Sequence, residues 1–195
     1  VDIFKIYDKK NVRNELGIPL DHKVLLFVSD NVNNIRKGFD LLLGALDKLE
    51  YNPITLCTIG SSNVPLDSKN HNIKAFGKVE DETILAKLYA AADAFVLPSR
   101  EDNLPNVMLE SLSCGTPVLS FQLGGMTDVI IHTKNGYLSK EVSVDGLKKI
   151  IDDFLVFGTE WTKEEIRKNA VEQFAFSTQS NRLLDVYESL IRKSL

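Results

Sequence analysis

The chain has 195 residues, and its 23 Lys and Arg against 27 Asp and Glu give a formal net charge of −4. Hydrophobic residues make up 44% of the chain and charged residues 26%, which excludes wholesale disorder and a fibrous repeat. The negative net charge argues against nucleic-acid binding through overall charge, and no apolar run approaches the ~18 residues that a membrane span requires.

The two cysteines, Cys57 and Cys114, are too few for a disulfide framework, and the first residues show no signal-peptide pattern. We therefore expect a cytoplasmic protein, whose full-length form is peripheral at the membrane. Because the chain begins with Val1 rather than Met, we also expect a processed chain or a piece of a longer protein.

Buried apolar runs alternate with helical patterns along the chain. Strands are predicted at 23–29, 54–60, 72–77, 93–99, 116–121 and 135–139. Helices are predicted at 8–17, 37–49, 81–92, 105–115, 143–157, 161–174 and 178–193, with a short one from Met126. This alternation predicts one α/β domain over 1–195, with a Rossmann-like parallel sheet of about six strands and helices on both faces. Phe174, Phe176 and Tyr187 are expected to anchor the closing helices in the core.

Ligands of such sheets bind beyond the carboxyl ends of the strands. We therefore expect function in the loops that follow the strands, which are 29–36, 60–70, 77–80, 99–104 and 121–126.

The segment 99–121 carries the densest signal. Pro105 is predicted at the first position of a helix whose free N–H groups face the crevice, which suits an anion. Glu110, in the second turn, can face the same crevice and accept hydrogen bonds from two ribose hydroxyls, while Asp102 faces the other end of a bound nucleotide. Alternatively, both acids only stabilise the helix electrostatically.

Arg36 and Lys37 stand at the mouth of the first crossover helix. A lysine there is a mobile cation suited to the developing charge of a phosphate group. Alternatively, the two residues are a solvated basic pair.

The acidic pair and its surroundings resemble a known signature. Asp102, seven residues, Glu110 and then the run Gly115 to Val118 are similar to the Glu-x7-Glu and Gly-x-Pro-Val motif of family 4 (group 1) glycosyltransferases with the GT-B fold. Further segments resemble this family in the same order, at 36–40, 59–60, 76–79, 88–99, 124–128 and 135–138.

The resemblance implies the C-terminal, donor-binding domain of a retaining, metal-independent glycosyltransferase, with the N-terminal acceptor domain absent and no activity alone. It implies transfer of a sugar from a nucleoside-diphosphate sugar to a glycan or lipid acceptor in polysaccharide or glycoconjugate biosynthesis, with no cofactor. The implied catalytic residues are Lys37, Asp102 and Glu110. The implied donor-binding residues are Arg36, Lys37, Gly60, Lys78, Val79, Asp102, Asn103, Leu104, Pro105, Asn106 and Glu110.

The sequence departs from the family pattern at two places. The first acid is Asp102, with Glu101 adjacent, which leaves open which of the two contacts the sugar. Many relatives carry an Arg after the first strand, where this chain has Ser29, Asp30 and Asn31.

The sequence also allows two other functions. The alternatives to a transferase are a non-catalytic nucleotide-sugar-binding module and an epimerase that acts on a sugar nucleotide. No Asp-x-Asp motif and no P-loop occurs, and the three histidines are scattered without partners at metal-ligand spacing.

Overall fold

The computed structural model describes residues 2–51, 53–62, 68 and 70–194. Its strands are β1 Lys23–Asn31, β2 Ile54–Ser61, β3 Asn72–Ala75, β4 Ala94–Leu97, β5 Val118–Phe121 and β6 Gly136–Ser139. Its helices are α1 Lys9–Leu16, α2 Phe39–Leu46, α3 Glu82–Ala91, α4 Asn106–Ser113, α5 Met126–Val129, α6 Val144–Phe157, α7 Lys163–Phe174 and α8 Phe176–Ser194.

The six strands form one sheet in the order β3-β2-β1-β4-β5-β6, and every pair is parallel. The sheet confirms the predicted Rossmann-like fold. The strand order reverses between β1 and β4, because β2 and β3 lie on one side of β1 and β4 to β6 lie on the other. In α/β sheets a crevice forms at such a point, beyond the carboxyl ends of the strands.

Hydrophobic residues on both faces of the sheet create two cores. Along β1, Val24 and Leu26 pack on one face, whereas Leu25 and Phe27 pack on the other. The first core also includes side chains of α1, α3, α4, α5 and α7, and the second includes those of α2 and α6. Burial on both faces explains why β1, β2, β4 and β5 are largely continuous apolar runs rather than alternating ones.

Local signals set the helix ends. Asp8 caps α1 by accepting a hydrogen bond from the Asn11 amide, and α1 ends at Gly17, as predicted. Among the helix starts that differ from the prediction, two have a clear local cause. Pro105 is the N-cap of α4 in an extended conformation rather than its first residue, because its ψ is 129°. The helix predicted from residue 37 begins at Phe39, because Gly38 takes a left-handed conformation.

The last helix is more exposed than predicted. Phe174 packs against the first core, but Phe176 is 87% exposed and Tyr187 55% exposed, so the prediction that these two are core anchors is wrong. The amphipathic pattern of α8 is real, yet its apolar side chains do not reach either core. None of the helices in the described ranges combines the length and apolar character needed to cross a bilayer.

Candidate functional site

A cavity of about 520 Å³ opens at the carboxyl ends of β1 and β2. Five of the predicted site residues line it: Lys37, Gly60, Lys78, Val79 and Glu110. Its volume suits a ligand of the size of a nucleotide.

A tight turn presents Lys37 to this cavity. Residues 35–37 form a single 3-10 turn, which the side chain of Asn34 caps by accepting a hydrogen bond from the Arg36 amide. Gly38 follows with a φ of 71°, and a Cβ atom placed there would lie 1.9 Å from the Pro98 carbonyl oxygen. Only glycine permits this approach, so the turn that carries Lys37 is pressed onto the end of β4.

Lys37 is paired with Asp102. The Lys37 Nζ atom donates a hydrogen bond to Asp102 Oδ2 at 2.9 Å, and the two side chains are 22% and 19% exposed. The Asn103 amide donates to the other Asp102 oxygen at 3.1 Å. A mobile cation and a carboxylate are therefore held together at the mouth of the cavity.

Arg100 ties the two loops that carry this pair. Its guanidinium donates to both carboxylate oxygens of Asp40, at 2.8 and 2.6 Å, and to the Ile35 carbonyl at 2.6 Å. The Arg100 amide donates to the Arg36 carbonyl at 2.8 Å. The hydrogen bond to Arg100 is the main reason that the pKa of Asp40 lies below its ordinary value. A forked contact of this kind fixes direction as well as distance.

Glu110 lies on α4 and is partly buried. Burial raises its pKa above the ordinary value, the Glu82 charge adds to the rise, and the hydrogen bond from Tyr89 opposes it. That bond runs from the Tyr89 hydroxyl to Glu110 Oε2 at 3.2 Å. Tyr89 holds one carboxylate oxygen, and the side chain faces the cavity, where the carboxylate can accept hydrogen bonds from a ligand.

The end of β2 shapes the cavity floor. Gly60 has a φ of 134°, and a Cβ atom there would lie 2.1 Å from the Ser29 carbonyl oxygen. Lys78 and Val79 line the side of the cavity, and the exposed Lys78 Nζ donates to Glu80 at 2.7 Å.

Other predicted residues lie next to the cavity rather than in its lining. Asp102 reaches the cavity through its contact with Lys37. The residues outside the lining are Arg36, Asn103, Leu104, Pro105 and Asn106. Of the predicted loop 60–70, residues 63–67 and 69 lie outside the described residues.

Sequence reasoning did not identify three contributors to the site. Asp30 lines the cavity, Tyr89 holds Glu110, and Arg100 joins the two loops. Tyr89 and Glu110 are 21 positions apart and Arg100 and Asp40 are 60 apart, so only the fold brings them together. The signal in the sequence was that Asp30 and Arg100 lie in two of the loops expected to carry function, 29–36 and 99–104.

The comparisons with known proteins agree with this geometry. The model of the family described as glycosyl transferases group 1 matches residues 8–173. The chain is 27% identical over 194 residues to an uncharacterised glycosyltransferase of Methanocaldococcus jannaschii, with 93% of this chain and 48% of that protein covered.

Two solved structures share the fold. A sucrose-phosphate synthase of Thermosynechococcus elongatus superposes with a TM-score of 0.79 at 21% identity, covering 98% of this chain and 51% of that one. HepE of Anabaena in complex with UDP superposes with a TM-score of 0.79 at 20% identity, covering 96% and 55%.

The chain thus spans about half the length of the proteins it matches. The family model covers most of the chain, and the fold matches that of GT-B glycosyltransferases. The chain belongs to the group 1 glycosyl transferases.

Proposed function

We propose that the chain is the donor-binding domain of a retaining, metal-independent glycosyltransferase. In this proposal it binds a nucleoside-diphosphate sugar, from which the complete cytoplasmic protein transfers the sugar to a glycan or lipid acceptor in polysaccharide or glycoconjugate biosynthesis. The observation that carries the proposal is that Lys37 and Glu110 line one cavity from two separate segments, with Asp102 paired to Lys37 at its mouth. UDP bound to HepE, which shares the fold, supports a nucleotide as the ligand.

Each of the three residues has a defined part in this proposal. Glu110 accepts hydrogen bonds from the ribose hydroxyls, with Tyr89 fixing its second oxygen. Lys37 moves from Asp102 to the diphosphate and stabilises the negative charge that develops on it as the sugar leaves. Asp102, once released, accepts hydrogen bonds from the donor sugar.

The positive charge for the diphosphate then comes from the protein itself. Lys37 supplies a full charge, and the amino end of α4 supplies a partial one. We therefore expect UDP binding to be the same with EDTA, magnesium or manganese present. A strict need for a divalent ion would contradict the metal-independent part of the proposal.

The diphosphate role is tested by calorimetric titration of UDP and uridine into the protein and its Lys37→Gln variant. We expect the UDP affinity to fall by about tenfold to a hundredfold, the range for a charge-assisted hydrogen bond, and the uridine affinity to stay unchanged. Lys168→Gln is the matched control, because the Lys168 side chain is 73% exposed on α7. Equal losses for UDP and uridine would show that Lys37 has a structural role instead.

A non-catalytic nucleotide-sugar-binding module is the second candidate. Asp30 favours it, because a carboxylate lines the cavity near the position where many relatives carry an arginine. The two candidates differ in the full-length protein, where the transferase forms a glycosidic bond and the module only retains the donor.

A further inference from the structure

A second cavity lies at the opposite edge of the sheet. It has a volume of about 420 Å³ and is bordered by Lys23, the first residue of β1, and Asp93, which precedes β4. The donor cavity, which is the cavity lined by Lys37 and Glu110, lies at the other end of β1, beyond Ser29 and Asp30. At about 3.3 Å per residue, roughly 20 Å of strand separates the two cavities. The second cavity is therefore a distinct site.

Asp93 is the one carboxylate among the described residues that line this cavity, and both of its oxygens accept hydrogen bonds. Asp93 Oδ1 accepts a hydrogen bond from Lys9 Nζ at 2.8 Å. Asp93 Oδ2 accepts from Arg13 Nη2 at 2.8 Å and from the Val24 amide at 2.7 Å. Two cations thus neutralise Asp93 and leave a net positive charge around it.

Lys163 adds a further positive charge to the lining of this cavity, and the described lining holds no carboxylate besides Asp93. It is half-buried at the first position of α7 and lines the cavity together with Lys9. Among the described residues, no carboxylate forms an ion pair with Lys163. Burial, followed by the charge of Lys9, lowers the pKa of Lys163 to about 8; Asp93 opposes this shift, and Arg13 adds to it by a smaller amount.

The remaining walls provide polar and apolar surface. Thr162 and Glu165 form a capping box that fixes the start of α7, and the amino end of that helix opens on the cavity. Phe154, Phe157 and Trp161 line another wall. The cavity therefore combines an excess of cations with a nonpolar surface able to pack against the carbon part of a ligand.

We propose that this cavity binds a phosphate group, either as inorganic phosphate or as part of a small phosphomonoester. The phosphate lies between the ammonium groups of Lys9 and Lys163, and an ester packs its carbon part against Trp161. A dianion there separates the two ammonium charges and supplies the negative charge that Asp93 alone does not. Lys23 adds attraction from the far side.

Trp161 is the single tryptophan of the chain, so its fluorescence reports directly on this cavity. Inorganic phosphate, mannose 6-phosphate and mannose are titrated separately at constant ionic strength. We expect both phosphates to change the fluorescence with saturation, and mannose to leave it unchanged. Tighter binding of mannose 6-phosphate identifies an ester as the ligand, and equal binding identifies free phosphate.

Three variants locate the bound phosphate. Lys163→Gln should weaken phosphate binding by about tenfold or more, as expected for loss of a charge-assisted contact, while its UDP affinity stays unchanged. Lys168→Gln, on the same helix, and Lys37→Gln, in the donor cavity, should both leave phosphate binding unchanged. No fluorescence response up to about 20 mM phosphate, far weaker than ordinary specific binding, would overturn the proposal. So would a loss in Lys37→Gln with none in Lys163→Gln.

Discussion

The position of Glu110 suits ligand binding but lowers the stability of the folded protein. Its side chain is partly buried, and burial raises the pKa of the carboxyl because the ionised form loses hydration. At neutral pH the folded protein therefore holds a charge that the unfolded chain would hold more favourably. Among the described residues, Tyr89 is the only direct hydrogen-bond partner of the Glu110 carboxylate. A partly buried acid that faces a cavity is typical of a group that binds a ligand.

Glu110→Gln should therefore raise the melting temperature at pH 7 while weakening UDP binding by about tenfold or more, because the charge-assisted bonds to the ribose are lost. The folded-state pKa is raised, so the gain disappears as the pH falls below about 4.3, where the carboxyl is protonated in both states. Thermal unfolding at pH 7 and pH 4 measures this. The exposed Glu50→Gln is the control, and a gain that persists at pH 4 would contradict the explanation.

Two glycines allow strain to be separated from steric overlap. Gly38 and Gly77 have φ values of 71° and 66°, but a Cβ atom at Gly38 meets the Pro98 carbonyl oxygen whereas one at Gly77 meets nothing within 4 Å. Gly77→Ala should cost only about 1 kcal/mol, the usual penalty of a left-handed residue. Gly38→Ala should cost about 2 kcal/mol or more and also weaken UDP binding, because the turn that carries Lys37 must move.

Chemical denaturation of both variants, followed by UDP titration, measures these effects. Equal losses of stability in the two variants would show that the contact with Pro98 is unimportant.

Among the elements, the turn at 35–37 and the loop after β4 depend on each other through Arg100. The Arg100–Asp40 pair is partly exposed, so its direct contribution to stability is small, about 0–1 kcal/mol. Its effect on position is larger, because the guanidinium binds Asp40 and the Ile35 carbonyl at once.

Arg100→Lys should therefore leave the melting temperature nearly unchanged and weaken UDP binding several-fold, because lysine retains the charge but not the fork. Hydrogen exchange should also become faster at the Lys37 amide, which donates to the Asn34 carbonyl within the turn. Arg182→Lys, on the exposed helix α8, is the matched control. An unchanged UDP affinity together with faster exchange would remove Arg100 from the binding site.

The elements also show what can be predicted from sequence. The central strands were predictable because their runs are buried on both faces, and α1 because Asp8 and Gly17 mark its ends. The break at Gly38 was not predictable, since its conformation depends on contact with Pro98. The exposure of α8 was not predictable either, because an amphipathic pattern shows which side chains need a partner and not where that partner is.

For the candidate site, residues next to strand ends were predictable, and pairs joined only by the fold were not. Lys37, Gly60 and Glu110 follow or face the ends of strands, and all three line the cavity. The ion pair between Lys37 and Asp102 depends on two loops 65 positions apart, so no local pattern reveals it.

At the scale of the whole molecule, the described residues form one sheet, and the chain spans about half the length of relatives such as the M. jannaschii glycosyltransferase. On our proposal, the acceptor lies on another part of the complete protein, and bringing the two reactants together lowers the barrier by about 7–11 kcal/mol. The isolated chain lacks this contribution but retains the donor cavity.

We therefore expect the 195-residue chain to bind UDP and a UDP-sugar, and to show no sugar transfer and at most trace hydrolysis of the donor. The assay compares this chain with the full-length protein, using the same donor and acceptor. Efficient transfer by the short chain would contradict the need for a second domain. Donor binding without transfer in the full-length protein would favour the non-catalytic module.

On our proposal, the ion pair between Lys37 and Asp102 also favours some anions over others in the cavity. A monoanion such as chloride offers Lys37 no more charge than Asp102 already provides, and it lacks the fixed 2.9 Å geometry. On our proposal, a diphosphate carries enough charge to displace the carboxylate from Lys37, whereas a monoanion does not. The carboxylate that binds the sugar then becomes free only after the diphosphate has arrived.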